Sequence, residues 1–180
     1  MIAIMSDNLI KQLLAKAEHK QSLEQNAYLF HCDDKVEKIF IVEQGAVELI
    51  RPQRDGNPII LQRAERLTIL AEASVYSSNY HCDALAVTPA IVSTLTKSKF
   101  LSHLDDDKDL SQLWSRHLAA EMQKARYRSE ILSRKTVAER LDAWLDLHDN
   151  QLPAKGEWKS IAIQIAVSPE ALYRELSKRK

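Results

Sequence analysis

Glycine is scarce here. Three glycines in 180 residues leave little room for a phosphate-cradling loop, and neither a metalloprotease helix nor a nucleophile elbow occurs. Tyr80-His81-Cys82-Asp83 holds nucleophile, base and acid types, but adjacent residues on a strand cannot line up as a triad. Cysteine is scarcer still, with Cys32 and Cys82 alone. The opening Met1–Met5 is too short and too poor in positive charge to be a secretory signal. The two thiols are therefore expected to be free in a reducing cytoplasm. No run approaches the roughly 20 apolar residues of a membrane helix, so no membrane partner is expected. Net charge is absent as well, because 25 basic and 25 acidic residues cancel. These gaps argue for a soluble cytoplasmic protein that is not an enzyme.

What is present falls into three segments. Residues 1 to about 20 have the apolar spacing of a helix through Leu9, Ile10, Leu13, Leu14 and Ala17, with Ser6 or Asp7 as the expected cap. From Tyr28 the pattern becomes short runs rich in Val, Ile, Leu and Thr, several of them alternating apolar and polar positions. Arg54-Asp-Gly-Asn57 between two such runs carries a hairpin signal. Many short strands without a long helix between them predict a small barrel or jelly roll to about residue 98.

From Lys99 the chain reads as helical. Leu110, Leu113, Trp114, His117, Leu118, Met122, Ala125, Ile131 and Leu132 form a long narrow stripe. Such a stripe meets either a second copy of the helix or the chain's own barrel; dimerisation is the favoured expectation. Thr136-x-x-Glu139 is a capping box that should start another helix. Asp149 to Gly156 has the composition of a loop. In the last segment Ser168 caps, Pro169 takes the first helical position and Glu170 the first turn. A short helix, a tight turn and a capped helix make a helix-turn-helix. The charge over Lys155–Lys180 is net basic, which suits a polyanion. The fold class expected is α+β, with residues 1–107 as a β-roll carrying an N-terminal helix, 108–135 as a dimerisation helix and 136–180 as the helix-turn-helix.

Three phrases carry a resemblance to the Crp/Fnr family of bacterial transcription regulators. They are Lys38 to Ala64 (KIFIVEQGAVELIRPQRDGNPIILQRA), the AEASVY of Ala71 to Tyr76, and Ile161 to Leu176 (IAIQIAVSPEALYREL). The resemblance runs from about residue 20 to the last residue. It implies a cyclic-nucleotide-binding-type β-roll, a dimerising helix and a winged helix that binds double-stranded DNA. RNA polymerase is a further partner such a regulator implies.

Carried across residue by residue, the effector pocket would hold Glu72, His81, Cys82, Asp83, Ala125 and Arg126. Glu72 matches the family's ribose-binding glutamate. Cys82 stands where an arginine should meet the cyclic phosphate, Asp83 where a hydroxyl should, and Ala71 where a glycine is expected. A carboxylate against a phosphate is repulsive in a poorly solvated pocket, and Ala125 and Arg126 lack the hydroxyl pair used for adenine. Cyclic AMP is therefore not the expected effector. Cysteine and histidine are ligand types for a metal or haem, which makes His81 and Cys82 candidate ligands, although strand neighbours point to opposite faces. The plainer alternative is that both cysteines are packing residues and that His31-Cys-Asp-Asp34 is a turn.

In the helix-turn-helix, Glu170 and Arg174 match the family's base-reading pair. Glutamate can accept from cytosine N4, and arginine can donate to guanine O6 and N7. Tyr173 falls where specificity varies, while Ser168, Pro169 and Lys159 lie at the phosphate-facing end. The alternative is a surface ion pair between Glu170 and Arg174. The family's β-hairpin wing has no counterpart before Lys180, and Ala166 stands where the turn commonly has glycine. These departures keep a second expectation open: a metal, haem or thiol-redox sensor acting through a protein partner without DNA.

Overall fold

The computed structural model describes residues 2–53 and 58–179; the Arg54–Asn57 hairpin signal lies outside the described residues. The chain divides into two compact units, residues 1–118 and 119–180.

In the first unit, α1 (Ile2–Ala15) precedes eight strands: β1 (His19–Leu23), β2 (Tyr28–Phe30), β3 (Lys38–Gln44), β4 (Val47–Arg51), β5 (Ile59–Ala64), β6 (Thr68–Leu70), β7 (Asp83–Ala86) and β8 (Ala90–Thr96). They form two antiparallel four-stranded sheets, ordered β1-β8-β3-β6 and β2-β7-β4-β5. Phe30, Phe40, Val42, Val47, Leu49 and Val92 fill the space between them. Ile39, Ile41, Ile69 and Leu95, on the β1-β8-β3-β6 sheet, pack instead with Leu9 and Leu13 of α1 and with Phe100 and Trp114 further along. That sheet is covered on both sides. β3 therefore buries four consecutive residues, Ile39 to Val42, where a half-exposed strand would alternate.

Two boundaries differ from the sequence expectation. α1 starts at Ile2, ahead of Ser6 and Asp7, because Ile2 to Met5 contain no helix breaker and an internal serine does not end a helix. It stops at Ala15, and residues 19–23 form β1 along β8. β1 escapes a periodicity search because only Leu23 of its five residues is buried. Near Lys99 the helical region divides into α2 (Lys97–Asp106) and α3 (Lys108–Ser133). Asp107 makes the break and accepts the Leu110 N–H at 3.0 Å, as a helix cap does.

The glycine between β3 and β4 is obligatory. Gly45 has φ +76°, and a Cβ there would lie 2.1 Å from the Pro89 carbonyl oxygen.

The second unit holds α4 (Val137–Asp146), α5 (Trp158–Gln164) and α6 (Pro169–Lys178). They pack with Ile131 around Leu141, Trp144, Ile161, Ile165, Leu172 and Leu176. The capping box is formed in full: Thr136 Oγ1 accepts from the Glu139 N–H, and the Glu139 carboxylate accepts from the Thr136 N–H.

Candidate effector pocket and nucleic-acid interface

The segment after β6 begins with Ala71 in the left-handed region, φ 67°. A one-turn 3-10 helix, Glu72–Ser74, follows, with Glu72 half-buried. Ahead of β7 the side chains of His81 and Cys82 diverge. His81 is exposed, and its Nδ1 lies 3.0 Å from Ser74 Oγ. Cys82 is buried in the core between the sheets. Burial, then the neighbouring Cys32, push its thiol up to about 11, against a smaller opposing pull from Arg51. Asp83 is 8% exposed and accepts the Cys32 N–H at 2.7 Å; His31 Nδ1 lies 3.8 Å away.

The two His-Cys-Asp segments are thus neighbours. The first is a turn: Asp33 has φ 68°, the Asp34 carboxylate accepts the His31 N–H at 2.8 Å, and the Asp34 N–H returns to the His31 carbonyl at 3.2 Å. Among the described residues no three His, Cys, Asp or Glu side chains gather as ion ligands.

A residue the sequence reasoning passed over also meets this segment. Arg51, at the end of β4, donates from its guanidinium to the His81 carbonyl at 3.1 Å. The signal is one of register: Ile50 pairs with Asp83, so Arg51 is the next residue along the neighbouring strand. Ala125 and Arg126 belong to the second unit, where both are exposed on α3.

In the second unit α5 ends in a Schellman turn. The Val167 N–H donates to the Ala162 carbonyl at 2.9 Å and the Ala166 N–H to the Ile163 carbonyl at 3.2 Å, with Ala166 left-handed at φ 50°. Ser168 then caps α6 by accepting the Ala171 N–H at 3.1 Å, and Pro169 opens the helix. Leu172 and Leu176 bury one face, which leaves Glu170 and Arg174 exposed on another. Lys159 of α5 is also exposed, while Tyr173 is half-buried with its ring 5.6 Å from that of Trp158.

Glu170 is held below the ordinary carboxylate range, first by its own backbone N–H and then by the Ser168 hydroxyl, with a smaller contribution from Lys159. No ion pair forms between Glu170 and Arg174 among the described residues. A second residue missed from sequence holds the turn. The guanidinium of Arg140 on α4 donates to the carbonyls of Ile165 (3.2 Å), Ala166 (3.1 Å), Leu132 (3.4 Å) and Arg134 (3.0 Å).

The stripe on α3 divides. Leu110 and Trp114 are buried against their own unit, and Ile131 is buried in the other. Met122 to Tyr127 are all exposed, Met122 at 55% and Tyr127 at 47%.

A β-roll with its segment after β6, a long helix and a capped terminal helix define a class of protein. Residues 20–107 match the cyclic nucleotide-binding domain. Among the curated proteins nothing matches the chain.

Solved structures extend the likeness to both units. FixK2 from Bradyrhizobium japonicum is 21% identical with a TM-score of 0.68, the match covering 89% of this chain and 83% of that one. The regulator CLP of Xanthomonas campestris, described as c-di-GMP responsive, is 15% identical with a TM-score of 0.66, over 96% of this chain and 90% of its own. TTHB099, a CRP-family transcriptional regulator from Thermus thermophilus, is 17% identical with a TM-score of 0.61, over 88% and 83%. The chain shares the fold of these three structures. No helix among the described residues is long and apolar enough to cross a membrane.

Proposed function

We propose that the chain is a sequence-specific DNA-binding transcription regulator that acts as a cytoplasmic homodimer and does not respond to cyclic AMP. The observation that carries the reading is α6. Its N-terminus is fixed by the Ser168 cap and Pro169, and its exposed face presents Glu170 and Arg174 without an ion pair between them. α5, the Schellman turn and α6 then form a helix-turn-helix, with α6 entering the major groove. A carboxylate held ionised suits an acceptor for cytosine N4, and an unpaired guanidinium suits guanine O6 and N7. Lys159 and Ser168 would meet phosphates, which position the helix without specifying sequence. RNA polymerase is the partner that such a regulator meets at a promoter.

The exposed middle of α3 supplies the dimer contact, because Met122, Ala125 and Tyr127 lie on a helix whose two ends are already packed within their own units. In the effector pocket Cys82 offers a protonated thiol and Asp83 a carboxylate already engaged by Cys32. Neither can neutralise a cyclic phosphate, and the Arg51 guanidinium donates to the His81 carbonyl.

The test is a gel shift on fragments from the chain's own promoter region. Selective, salt-sensitive binding is expected. Arg174→Ala should weaken it about 10- to 100-fold, the worth of one bidentate base contact. Unchanged selectivity in that variant overturns the base-reading assignment. Calorimetric titration with cyclic AMP should show no binding heat.

A further inference from the structure

Phe30 of β2 pairs with Ala84 of β7. Two further residues along each strand in that register place Cys32 opposite Cys82. The backbone keeps the two segments together beyond that point. The Asp33 N–H donates to the Tyr80 carbonyl and the Tyr80 N–H to the Asp34 carbonyl, each at 2.9 Å, and Lys35 bridges Asn79. Cys32 itself is tied across the gap, its N–H on the Asp83 carboxylate at 2.7 Å. Cys32 stands in the turn after β2 and Cys82 directly ahead of β7; where the register is continued past the strand ends, opposed Cα atoms fall about 4.5–5.5 Å apart, inside the roughly 4.4–6.8 Å that a disulfide spans. Both thiols are free; Cys32 is exposed and Cys82 buried.

We propose that Cys32, in the turn after β2, and Cys82, directly ahead of β7, are a reversible dithiol–disulfide couple, with a peroxide as oxidant. Cys32, the accessible sulfur, reacts first. Its thiolate attacks a peroxide oxygen, the O–O bond breaks, the second oxygen leaves as water, and Cys32 becomes a sulfenic acid. The Cys82 sulfur then attacks the Cys32 sulfur. The S–S bond forms, the S–O bond breaks, and the departing hydroxide takes the Cys82 proton as a second water. The two thiols lose two electrons and two protons, and hydrogen peroxide accepts them. A small dithiol reverses the reaction by exchange.

The surroundings set the pace. Cys82 faces Cys32 from the β2 side, Arg51 from β4, Glu72 from the 3-10 turn and Asp83 from its own strand, with His31 beside Asp83 and His81 turned to Ser74. Burial and the acidic neighbours outweigh Arg51, so the Cys82 thiol is protonated near neutrality. Attack on the sulfenic acid is therefore the slow step, and it speeds up as the thiolate fraction grows with pH. The couple does not depend on DNA contact by α6, and its test reads sulfur chemistry alone. Failure of either proposal leaves the other standing.

The experiment uses the full chain, reduced, desalted, treated with hydrogen peroxide at about pH 7.5 and about pH 9, and quenched with an alkylating agent. Intact mass should fall by about 2 Da at monomer mass, with dithiothreitol restoring it. Peptide mapping should join the Cys32 peptide to the Cys82 peptide. Closure should be about tenfold faster or more at the higher pH, following the thiolate fraction. Cys82→Ser and Cys82→Ala, checked for folding by circular dichroism, should instead accumulate a trappable Cys32 sulfenic acid. A wild-type chain that stops at the sulfenic acid overturns the proposal. So does a chain that links only to other chains, or one whose cysteines both resist peroxide.

Discussion

Two alanines and one glycine show how single positions pull against the backbone they occupy. Ala166 is left-handed at φ 50° and Ala71 at φ 67°, a conformation that costs a residue with a Cβ about 1 kcal/mol. Glycine would relieve the strain but adds freedom to the unfolded chain, which takes back part of the gain. Ala166→Gly is therefore expected to stabilise the second unit by about 0.5 kcal/mol, read as a higher urea midpoint at unchanged slope. Gly45→Ala should act in the opposite direction. Its Cβ would fall 2.1 Å from the Pro89 carbonyl oxygen and 2.8 Å from Ala90 Cα, backbone atoms that cannot rotate away. A loss of about 3 kcal/mol is expected, and a fully stable Gly45→Ala variant would refute the close approach. Cys82 and Asp83 show the limit of reading single residues. The sequence showed only that they stand where the resemblance would put a phosphate-binding pair. That Asp83 ties down the Cys32 backbone was not visible there, because the two segments lie 51 positions apart.

Elements whose signals are local were legible, and those fixed by register were not. The Thr136–Glu139 capping box and the Ser168-Pro169 start of α6 each need only four consecutive residues, and both formed as the sequence implied. β1 buries one residue in five and is held by its pairing with β8, so no periodicity revealed it. Arg51 reached the candidate pocket through β4–β7 pairing, and Arg140 reached the turn through the packing of α4 beside α5. Arg140 matters because α5 ends in carbonyls with no partner in their own helix, and its guanidinium meets those of Ile165 and Ala166 together. Removing it strands acceptors at a cost of about 1–3 kcal/mol. Arg140→Met should therefore lower the melting temperature of the second unit by several degrees. It should also weaken DNA binding while leaving the dimer intact by sedimentation. Arg140→Lys recovers only part of either loss, since one ammonium cannot replace three guanidinium nitrogens that together reach four carbonyls. Wild-type affinity and stability in Arg140→Met would show the turn to be held by the Schellman bonds alone.

At the scale of the whole molecule the proposals meet in one geometric requirement. A homodimer joined through α3 carries two copies of α6, and both must meet major grooves on the same face of the duplex. Half-sites of about 34 Å, one helical turn, satisfy this. Inserting about 5 base pairs between them turns the second half-site to the far side of the duplex. Affinity should then fall to that of an isolated half-site, while an insertion of about 10 base pairs restores the face but demands a longer reach. Met122→Lys offers an independent route to the same loss, because it places charge in the exposed stretch where a second α3 would pack. Sedimentation should show monomers, and binding to the palindrome should drop to the half-site level at any spacing. A dimer that persists in Met122→Lys moves the contact off this stretch of α3. Binding that ignores the spacing of the half-sites means that one chain reads DNA alone, and the two-copy mechanism fails with it.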